Sequence, residues 1–530
     1  MKRSHGLVLG IILLFAAGFR MAELNREFDR NPEGCGAFYG LLARNYFRYG
    51  ITQSYGVPIL SMGQDAPPVF YANHPATTPL LIAFVHLLTG YRGGYDSLPG
   101  DWQTRLPAAC FTVACAAMIF LLVKKRSTPR AALLATALFA AIPMTLYYGG
   151  LPDVINPQLV FFALLTIAAY ERFVDRPNGR RFALLVLAFG GAALMDWPAF
   201  FLVPVLGLHY VLTRPAKTWT WIIGFGCVSV IIFLTLYVHC ALGQSSWNWM
   251  AAQVERRAIS GETDSADHFT MIEWAKHAVW GICVARHTLV VVLLALGWVG
   301  TAAARRFSGM ADRFAGLLLG WGILHVLMGR QGVYQHEWWW WPLTPGLVIA
   351  AGLMIEQLLL WLQSRRLPAA AGNVCIALAL VAFAAWNSRA VVREFESPKR
   401  INKGGIEYSL KEFGEVIRKS APPDRIVMVA ESDDSLGFWY YADRAMKRGI
   451  WDLSILQPRL NDGKVDLSFD AHGPYTQPVG AMVIPKSYIG DLQGFIRELD
   501  ARYPMSETDK FLIYDISSPK PATQSTRLGA

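Results

Sequence analysis

The sequence carries little charge for its length. Of its 530 residues only 17% are Asp, Glu, Lys or Arg, 53% are hydrophobic, and the mean hydropathy is +0.30. Soluble domains usually contain about 25% charged residues, so a wholly soluble chain is excluded. Up to about residue 390 the apolar residues form long blocks separated by short polar loops. Blocks of roughly 16–22 residues are long enough to cross a bilayer as helices.

Several motifs of other protein classes are also missing. The seven cysteines form no CxxC pair and no Cys/His metal spacing, which argues against a redox or structural zinc site. There is no Walker motif and no dinucleotide-binding fingerprint. The net charge of +10 comes from small Lys and Arg clusters between apolar blocks rather than from a basic stripe with aromatics. We therefore expect no nucleic-acid partner, and no cofactor beyond a possible divalent metal.

The apolar blocks predict an α-helical polytopic membrane protein of about eleven transmembrane helices plus interfacial helices. Several blocks are short for a full crossing, so tilted helices and buried ends are expected. The first block follows Lys2 and Arg3 like a signal peptide, but the many later blocks favour an uncleaved first span. The predicted spans are about 6–22, 104–123, 130–149, 157–171, 182–195, 198–212, 218–239, 278–300, 314–328, 339–362 and 369–389.

The loops between these blocks alternate in charge. Basic residues concentrate in 124–130, 172–181, 214–217, 305–313 and 365–366. The intervening short loops contain almost none, and the positive-inside rule places the basic set in the cytoplasm. This predicts a cytoplasmic N-terminus and an outer face formed by a long loop 1, about 23–103, and the C-terminal tail.

One apolar segment, His74–Gly90, complicates the count. If it crossed the membrane, the charge sorting would invert at that point. We therefore interpret it as an interfacial or re-entrant helix, with an ordinary span as the alternative.

The composition changes after residue 390. Apolar stretches at 426–430, 480–484 and 511–516 predict strands, and amphipathic patterns near 408–419 and 489–502 predict helices. The sequence thus divides into a transmembrane domain, 1–390, and a small soluble α/β domain, 391–530, on the periplasmic side.

Loop 1 contains the acids Asp29 and Glu33, followed by an aromatic and basic helix. Its aromatic face carries Tyr39, Leu42, Tyr46 and Tyr49, which is typical of a helix lying in the membrane interface. Four residues separate Arg44 from Arg48, so both can point at lipid phosphate. Simple interfacial anchoring is the alternative.

The other predicted outer loops add further polar candidates. Tyr71 and His74 precede the His74–Gly90 helix, and His74 could bind a ligand or phosphate or cap the helix. Asp153 and Asp196 each stand before a predicted helix, where capping is an alternative function. His336 and Glu337 precede four tryptophans; an aromatic belt explains the tryptophans but not the ionisable pair.

Together these groups favour acid–base chemistry beside a phosphate. Carboxylates from different loops on one face suit a general base or a metal, and neighbouring cations suit a departing phosphate. The pattern favours a transferase that acts on a lipid phosphate.

Motifs in a fixed order resemble a known class. Asp29 and Glu33 are followed by ARNYFRYG from Ala43, YANHPATTPLL from Tyr71, RLPAA from Arg105, MDWPAFF from Met195 and HEWWWWP from His336. The order resembles bacterial GT-C membrane glycosyltransferases related to protein O-mannosyltransferases and lipid A aminoarabinose transferases. The resemblance covers about residues 1–390.

The resemblance implies transfer of a sugar from a polyprenyl-phosphate donor to a lipid, glycan or protein acceptor at the outer face of a bacterial inner membrane. It also implies that an acid of loop 1 acts as the base. Glu33 stands before Gly36-Ala37 at that position, with Asp29 as the competitor. Gln158 occupies a position where the class has an acid, so Asp153 remains the candidate there. The family's HPPL element is altered here to His74-Pro75-Ala76-Thr77.

Two other functions remain open at the level of sequence. A lipid-linked sugar flippase or transporter would be expected to show internal repeats and mid-membrane charges, which are not visible here. An envelope scaffold that binds partners through the tail is the third interpretation.

Overall fold

The chain forms two compact units in a computed structural model. Unit 1 comprises residues 1–26, 71–85 and 101–396, and unit 2 comprises 27–70, 86–100 and 397–530. Most of loop 1 thus groups with the C-terminal tail, an arrangement that the sequence did not predict. The residues described are 3–29, 34–64, 66–95, 97–153, 155–244, 247, 269–365, 368–396, 400–403, 406–431, 436–450, 464–466 and 476–521.

Unit 1 is helical, and each of the eleven predicted spans coincides with helical structure. Among the described residues, seven helices are long and apolar enough to cross a membrane, or eight if one bent pair counts as a span. The α-helices are Arg3–Glu23, Asp101–Arg126, Pro129–Ala141, Pro143–Tyr148, Pro157–Asp175, Gly179–Met195, Leu202–Thr213, Trp219–Gln244, Met271–Trp274, Ala285–His287, Leu289–Ala304, Met310–Met328, Arg330–Gln335, Thr344–Ser364 and Ala369–Phe395. Shorter 3-10 helices are Trp197–Phe201, Ala216–Thr218 and Glu337–Leu343, and Ala275–Val284 is a π-helix.

Two predicted spans are broken rather than continuous. The segment 130–149 divides at Ile142, which is extended because Pro143 disfavours helical geometry in the residue before it. The segment 278–300 divides at Thr288, where the two flanking helical stretches are bent by 99°. Thr288 has a φ of +69°, an uncommon conformation for a β-branched residue. The bend places the end of the first stretch, and with it Arg286, beside the break.

The His74–Gly90 segment forms a helix only over Thr77–Leu88. Twelve residues rise about 18 Å, less than the roughly 30 Å of a hydrocarbon core. The length favours an interfacial or re-entrant helix over an ordinary span.

Unit 2 is an α/β assembly. Its helices are Gly34–Tyr49, Leu410–Ser420, Leu436–Ala442 and Gln493–Arg502, with a 3-10 turn at Lys486–Tyr488. Its strands are β1 Arg400–Lys403, β2 Ile406–Ser409, β3 Ile426–Val429, β4 Met446–Arg448, β5 Lys464–Asp466, β6 Thr476–Pro485, β7 Met505–Glu507 and β8 Phe511–Asp515. The three predicted strands are β3, part of β6 and β8. The predicted helix 489–502 begins only at Gln493.

The main sheet has the strand order β4-β3-β6-β8-β7, and β5 also pairs with β6. Strand β3 runs parallel to β4 and β6, while β8 is antiparallel to β6 and β7. Side chains alternate between sheet faces, and β3 is buried on both, with Met428 in one apolar cluster and Val427 in another. Such two-sided burial explains why β3 is apolar throughout rather than alternating.

The helix Gly34–Tyr49 lies inside unit 2. Ala37 and Leu41 pack in a cluster with Tyr440 and Tyr441 of the tail. Tyr39, Leu42 and Tyr46 are also buried. The prediction that this aromatic face lies in the headgroup region is therefore wrong, because protein covers it.

Candidate active site

An arginine of unit 1 lies between two carboxylates. Arg286 donates from Nε to Glu337 Oε2 at 2.5 Å and from its two terminal nitrogens to Glu394, at 3.1 Å each. The bond to Glu394 is the bidentate fork that suits guanidinium and carboxylate. Tyr148 donates its hydroxyl to the same Glu337 oxygen at 2.5 Å. Glu337 is thus held by two donors.

This acidic cluster, defined as Tyr148, Arg286, Glu337 and Glu394, is open to its surroundings. The side chain of Arg286 is 15% exposed, that of Glu337 33% and that of Glu394 34%. One cation faces two anions, so the cluster has a formal charge of −1. A partly exposed carboxylate with a fixed orientation can accept a proton or bind a hydroxyl group.

Local sequence explains how Glu337 is positioned. It begins the 3-10 helix Glu337–Leu343, in which Trp338, Trp340 and Trp341 are buried. Trp340 donates its indole N–H to the Val333 carbonyl at 3.2 Å. The tryptophans therefore pack inside unit 1, while the carboxylate at the start of the turn remains accessible. His336 lies against Trp338, with ring centroids 4.8 Å apart.

Aromatic rings and a second arginine extend the acidic cluster. The guanidinium carbon of Arg286 lies 4.8 Å from the ring centroid of Tyr147 and 5.5 Å from that of Tyr148. Arg26 lies over the Phe395 ring at 3.5 Å and 5.9 Å from Tyr147. Cation–π contacts of this kind stabilise guanidinium groups beside aromatic rings.

Asp153 is 5% exposed in the loop between Pro143–Tyr148 and Pro157–Asp175. Its Oδ1 accepts from Ile155 N at 3.3 Å. The cap of the following helix is instead Asn156, whose side chain accepts from Gln158 N at 3.1 Å. The capping interpretation of Asp153 is therefore wrong, and a role in chemistry stays a prediction.

Gln158 stands at the position that the resemblance assigns to an acid. It is fully buried, and neither atom of its side-chain amide has a hydrogen-bond partner within the part of the chain that the structure describes. An unpaired buried amide costs free energy, so the site carries a polar group that a ligand could satisfy.

His74 and Asp196 are brought together from distant parts of the sequence. His74 Nδ1 lies 2.7 Å from Asp196 Oδ1, and the Trp197 indole N–H donates to the Asn73 carbonyl at 2.9 Å. Tyr71 lies beside His74, with ring centroids 6.4 Å apart. Asp196 precedes Trp197–Phe201 but makes no capping bond with its side chain. Its capping interpretation is wrong, because the carboxylate instead faces the imidazole.

Asp196 is 1% exposed at its side chain, and His74 is 21% exposed. The pair therefore presents the imidazole outward and keeps the carboxylate inside. A carboxylate that binds one ring nitrogen fixes the ring orientation and leaves the other nitrogen for a ligand.

The two arginines predicted to bind phosphate lie in unit 2. Arg44 Nη2 lies 2.8 Å from Asp443 Oδ1, and Arg48 makes two bonds of 2.6 Å to the same carboxylate. Arg48 also bonds the Gly93 and Gly94 carbonyls and lies over the Tyr95 ring at 3.9 Å. The side chains of Arg44 and Asp443 have no exposed surface. Binding of lipid phosphate by these arginines stays a prediction.

The electrostatics of the two arginines differ. Burial lowers the pKa of Arg44, an effect that the Asp443 charge only partly offsets. Burial also opposes the charge of Arg48, but its hydrogen bonds and charge interaction with Asp443 raise its pKa overall. Asp443 is therefore the group that keeps both cations in place.

Of the two candidate acids of loop 1, only Asp29 is among the residues that the structure describes. Glu33 lies outside the described residues, directly before the helix Gly34–Tyr49. Asp29 is 4% exposed in unit 2. Both remain predicted catalytic residues. Among the described residues, no group of three or more His, Cys, Asp or Glu side chains is arranged to hold a metal ion.

Sequence reasoning missed Arg286, Glu394, Tyr148 and Asp443. Arg286 had a usable signal, because it lies inside an apolar block where ionisable residues tend to be functional. Glu394 and Tyr148 stand at the ends of predicted spans, without a local motif. Asp443 has no signal in the sequence of the tail.

Part of the chain matches a known protein family, and nearly the whole chain is similar in fold to a solved structure. A family model described as dolichyl-phosphate-mannose-protein mannosyltransferase matches residues 73–241, less than half of the chain. The fold is similar to that of ArnT from Cupriavidus metallidurans bound to undecaprenyl phosphate. The TM-score is 0.61 at 12% identity, over 96% of this chain and 98% of that one. This is a GT-C glycosyltransferase fold. The fold that the resemblance implied is confirmed.

A second solved structure supports the same fold. The oligosaccharyltransferase AglB from Archaeoglobus fulgidus, in complex with an inhibitory peptide and a dolichol-phosphate, matches with a TM-score of 0.57 and 11% identity. The match covers 100% of this chain and 75% of that one. The search of curated proteins gave no match. The GT-C fold, together with the apolar helices, identifies the chain as an integral membrane protein.

Proposed function

We propose that this GT-C protein transfers a sugar from a polyprenyl-phosphate donor to a lipid, glycan or protein acceptor at the outer face of a bacterial inner membrane. The observation that carries the proposal is the fold match along nearly the whole chain to ArnT bound to undecaprenyl phosphate. The dolichol-phosphate in the AglB structure adds a second lipid phosphate on the same fold.

The acidic cluster supports this chemistry in unit 1. A sugar on a lipid phosphate is already activated, so the reaction needs a base for the acceptor and cations for the departing phosphate. Arg286 and Arg26 are cations with aromatic neighbours, and Glu337 is an oriented and accessible carboxylate. His74, held by Asp196, offers a further group for a phosphate or a hydroxyl.

For the base we propose Glu33, with Asp29 as its competitor and Asp153 as an acid that orients the acceptor or a metal. Loop 1 connects Glu33 directly to the helix Gly34–Tyr49, whose Arg44 and Arg48 are fixed by Asp443. Acid–base catalysis requires a base held within reach of the proton that it removes.

The test is an assay of the purified full-length protein with a polyprenyl-phosphate sugar labelled on the sugar. Membrane lipids and glycans serve as acceptors. Glu33→Gln should lower turnover by about 10²–10⁴-fold, the usual contribution of a positioned acid or base, with little change in donor binding. Glu415→Gln, an exposed carboxylate in unit 2, is the matched control and should retain full activity.

Other outcomes reassign the roles. Full activity in Glu33→Gln with loss in Asp29→Asn moves the base to Asp29. Loss in Asp153→Asn identifies a second working acid. If the wild-type protein moves the donor across vesicle membranes without transferring the sugar, it is a flippase and the proposal fails.

A further inference from the structure

A basic pocket lies in unit 1 away from all the acids considered so far. It is a cleft of about 120 Å³ lined by Lys125, Arg126, Glu171, Arg172, His209 and Arg313, among others. With Asp175, the lining contains four cations of Lys or Arg and two carboxylates, a formal charge of +2. Val174, Met310 and Leu317 supply apolar walls.

Chain direction places this pocket at the opposite end of the helices from the acidic loops. The helix Pro157–Asp175 begins just after Asp153 and ends with pocket residues. The helix Met310–Met328 begins at the pocket and leads towards Glu337. Nineteen residues rise about 28 Å, close to the thickness of a hydrocarbon core. The pocket therefore lies level with the headgroups of the leaflet opposite the candidate active site.

Helix electrostatics account for some of these cations but not for all. Lys125 and Arg126 end the helix Asp101–Arg126, where positive charge favours the helix dipole. Arg313 is in the first turn of Met310–Met328, where a cation opposes the dipole. Its charge interacts favourably with Glu171, a carboxylate of the pocket lining.

The carboxylate of Glu171 is already hydrogen-bonded by another arginine of the pocket. Glu171 accepts from Arg126 Nε at 2.6 Å. In the described part of the chain, Arg313 Nε and His209 Nε2 are both buried without a hydrogen-bond partner. His209 Nδ1 lies 2.7 Å from the Tyr170 hydroxyl, which also donates to the Leu206 carbonyl at 3.0 Å. The ring is therefore held in one orientation with Nε2 unused.

We propose that this pocket binds the headgroup phosphate of an anionic phospholipid. Arg313 supplies an unpaired donor, and the unpaired Nε2 of His209 can accept from a headgroup hydroxyl. Lys125 and Arg172 supply exposed charge, and the apolar walls accommodate the glycerol and upper acyl chains. Basic pockets between membrane helices are suited to such headgroups. The site is separate from the proposed transfer reaction and does not depend on it.

The test uses full-length protein in phosphatidylcholine nanodiscs that contain increasing phosphatidylglycerol. The wild-type protein should show saturable binding of phosphatidylglycerol. Arg313→Gln should weaken it by roughly tenfold or more, the effect of losing a charge-assisted hydrogen bond. Arg180→Gln, an exposed arginine outside the pocket lining, should change binding less than about twofold. Arg313→Lys should restore part of the affinity, because it keeps the charge.

Each alternative gives a different result. If inorganic phosphate binds as tightly as phosphatidylglycerol and displaces it, a free anion is the ligand and the lipid assignment fails. If Arg313→Gln and Arg180→Gln lose affinity equally, or neither does, the site itself is refuted. Lys125→Gln, which removes an exposed charge of the pocket lining, replaces Arg313→Gln if the latter does not fold, and its predicted loss is about threefold.

Discussion

The two units use the same chemistry, arginine bound to carboxylate, in opposite ways. In unit 2 the side chains of Arg44, Arg48 and Asp443 are 0%, 3% and 0% exposed. In unit 1 those of Arg286 and Glu337 are 15% and 33% exposed. A closed ionic cluster can only stabilise or orient the fold, whereas an open one can also exchange its partners for a ligand. From this difference we predict a structural role for the cluster of unit 2 and a chemical role for that of unit 1.

The stoichiometry supports this division. Asp443 alone faces two buried guanidinium groups, so its removal leaves two unbalanced charges in a low dielectric. Arg286 faces two carboxylates that are each about a third exposed, so water can solvate whatever a mutation leaves behind. Changes in the closed cluster of unit 2 should therefore affect stability, and changes in the open cluster of unit 1 should affect turnover.

The largest expected effect is that of Asp443→Asn. It should destabilise unit 2 by about 3–5 kcal/mol, because breaking a buried ion pair leaves uncompensated charge. Resistance of the full-length protein to proteolysis within unit 2, measured against temperature, checks this value. Unchanged resistance would show that the closed cluster is not structural.

Next in size is Arg286→Gln. We expect a loss of transfer activity of roughly 10–100-fold, the effect of losing charge-assisted hydrogen bonds. Thermal stability should change little, since the cluster is partly exposed. Loss of folding together with activity would contradict the contrast between the closed and open clusters. Arg286→Lys, which keeps the positive charge, is the conservative control.

An intermediate case is the His74–Asp196 pair, which is closed at the carboxylate and open at the imidazole. A double-mutant cycle of His74→Ala and Asp196→Ala should give a coupling free energy of about 1 kcal/mol, within the range for residues in contact. Measured stabilities of the two single variants and the double variant provide it. Strict additivity would mean that Asp196 acts independently of His74, for example on its own helix.

The smallest effect should come from Glu412→Gln. Glu412 binds Lys510 at 2.8 Å, with the two side chains 42% and 33% exposed. Exposed pairs contribute about 0–1 kcal/mol, so the apparent stability of unit 2 should shift by less than this. A larger shift in the same proteolysis assay would mean that exposure is a poor guide to which pairs stabilise this unit.

The parts of the fold that depend on nearby residues could be predicted from the sequence. The apolar blocks located the helices, and the run of apolar residues in β3 located a buried strand. The break at Thr288 could not be predicted, because no proline or glycine marks it. The grouping of loop 1 with the tail also depends on packing between distant segments.

The candidate site shows the same limit. The sequence presents Asp196 both as a site candidate and as a cap of its local helix, but not as a partner of His74, which is 122 residues away. Glu394 lies 108 residues from Arg286. Residues so far apart in the chain show no spacing pattern that would reveal their contact. The sequence therefore indicates candidate acids but not their partners.

The closed cluster of unit 2 also imposes an order in time. Arg48 is translated 395 residues before Asp443, and synthesis at about 5–20 residues per second makes that interval roughly 20–80 s. Throughout it, the helix Gly34–Tyr49 has left the ribosome without the tail that covers its buried face. This helix must therefore avoid misassembly until the last quarter of the chain has been synthesised. A premature stop before residue 443 leaves the helix permanently uncovered.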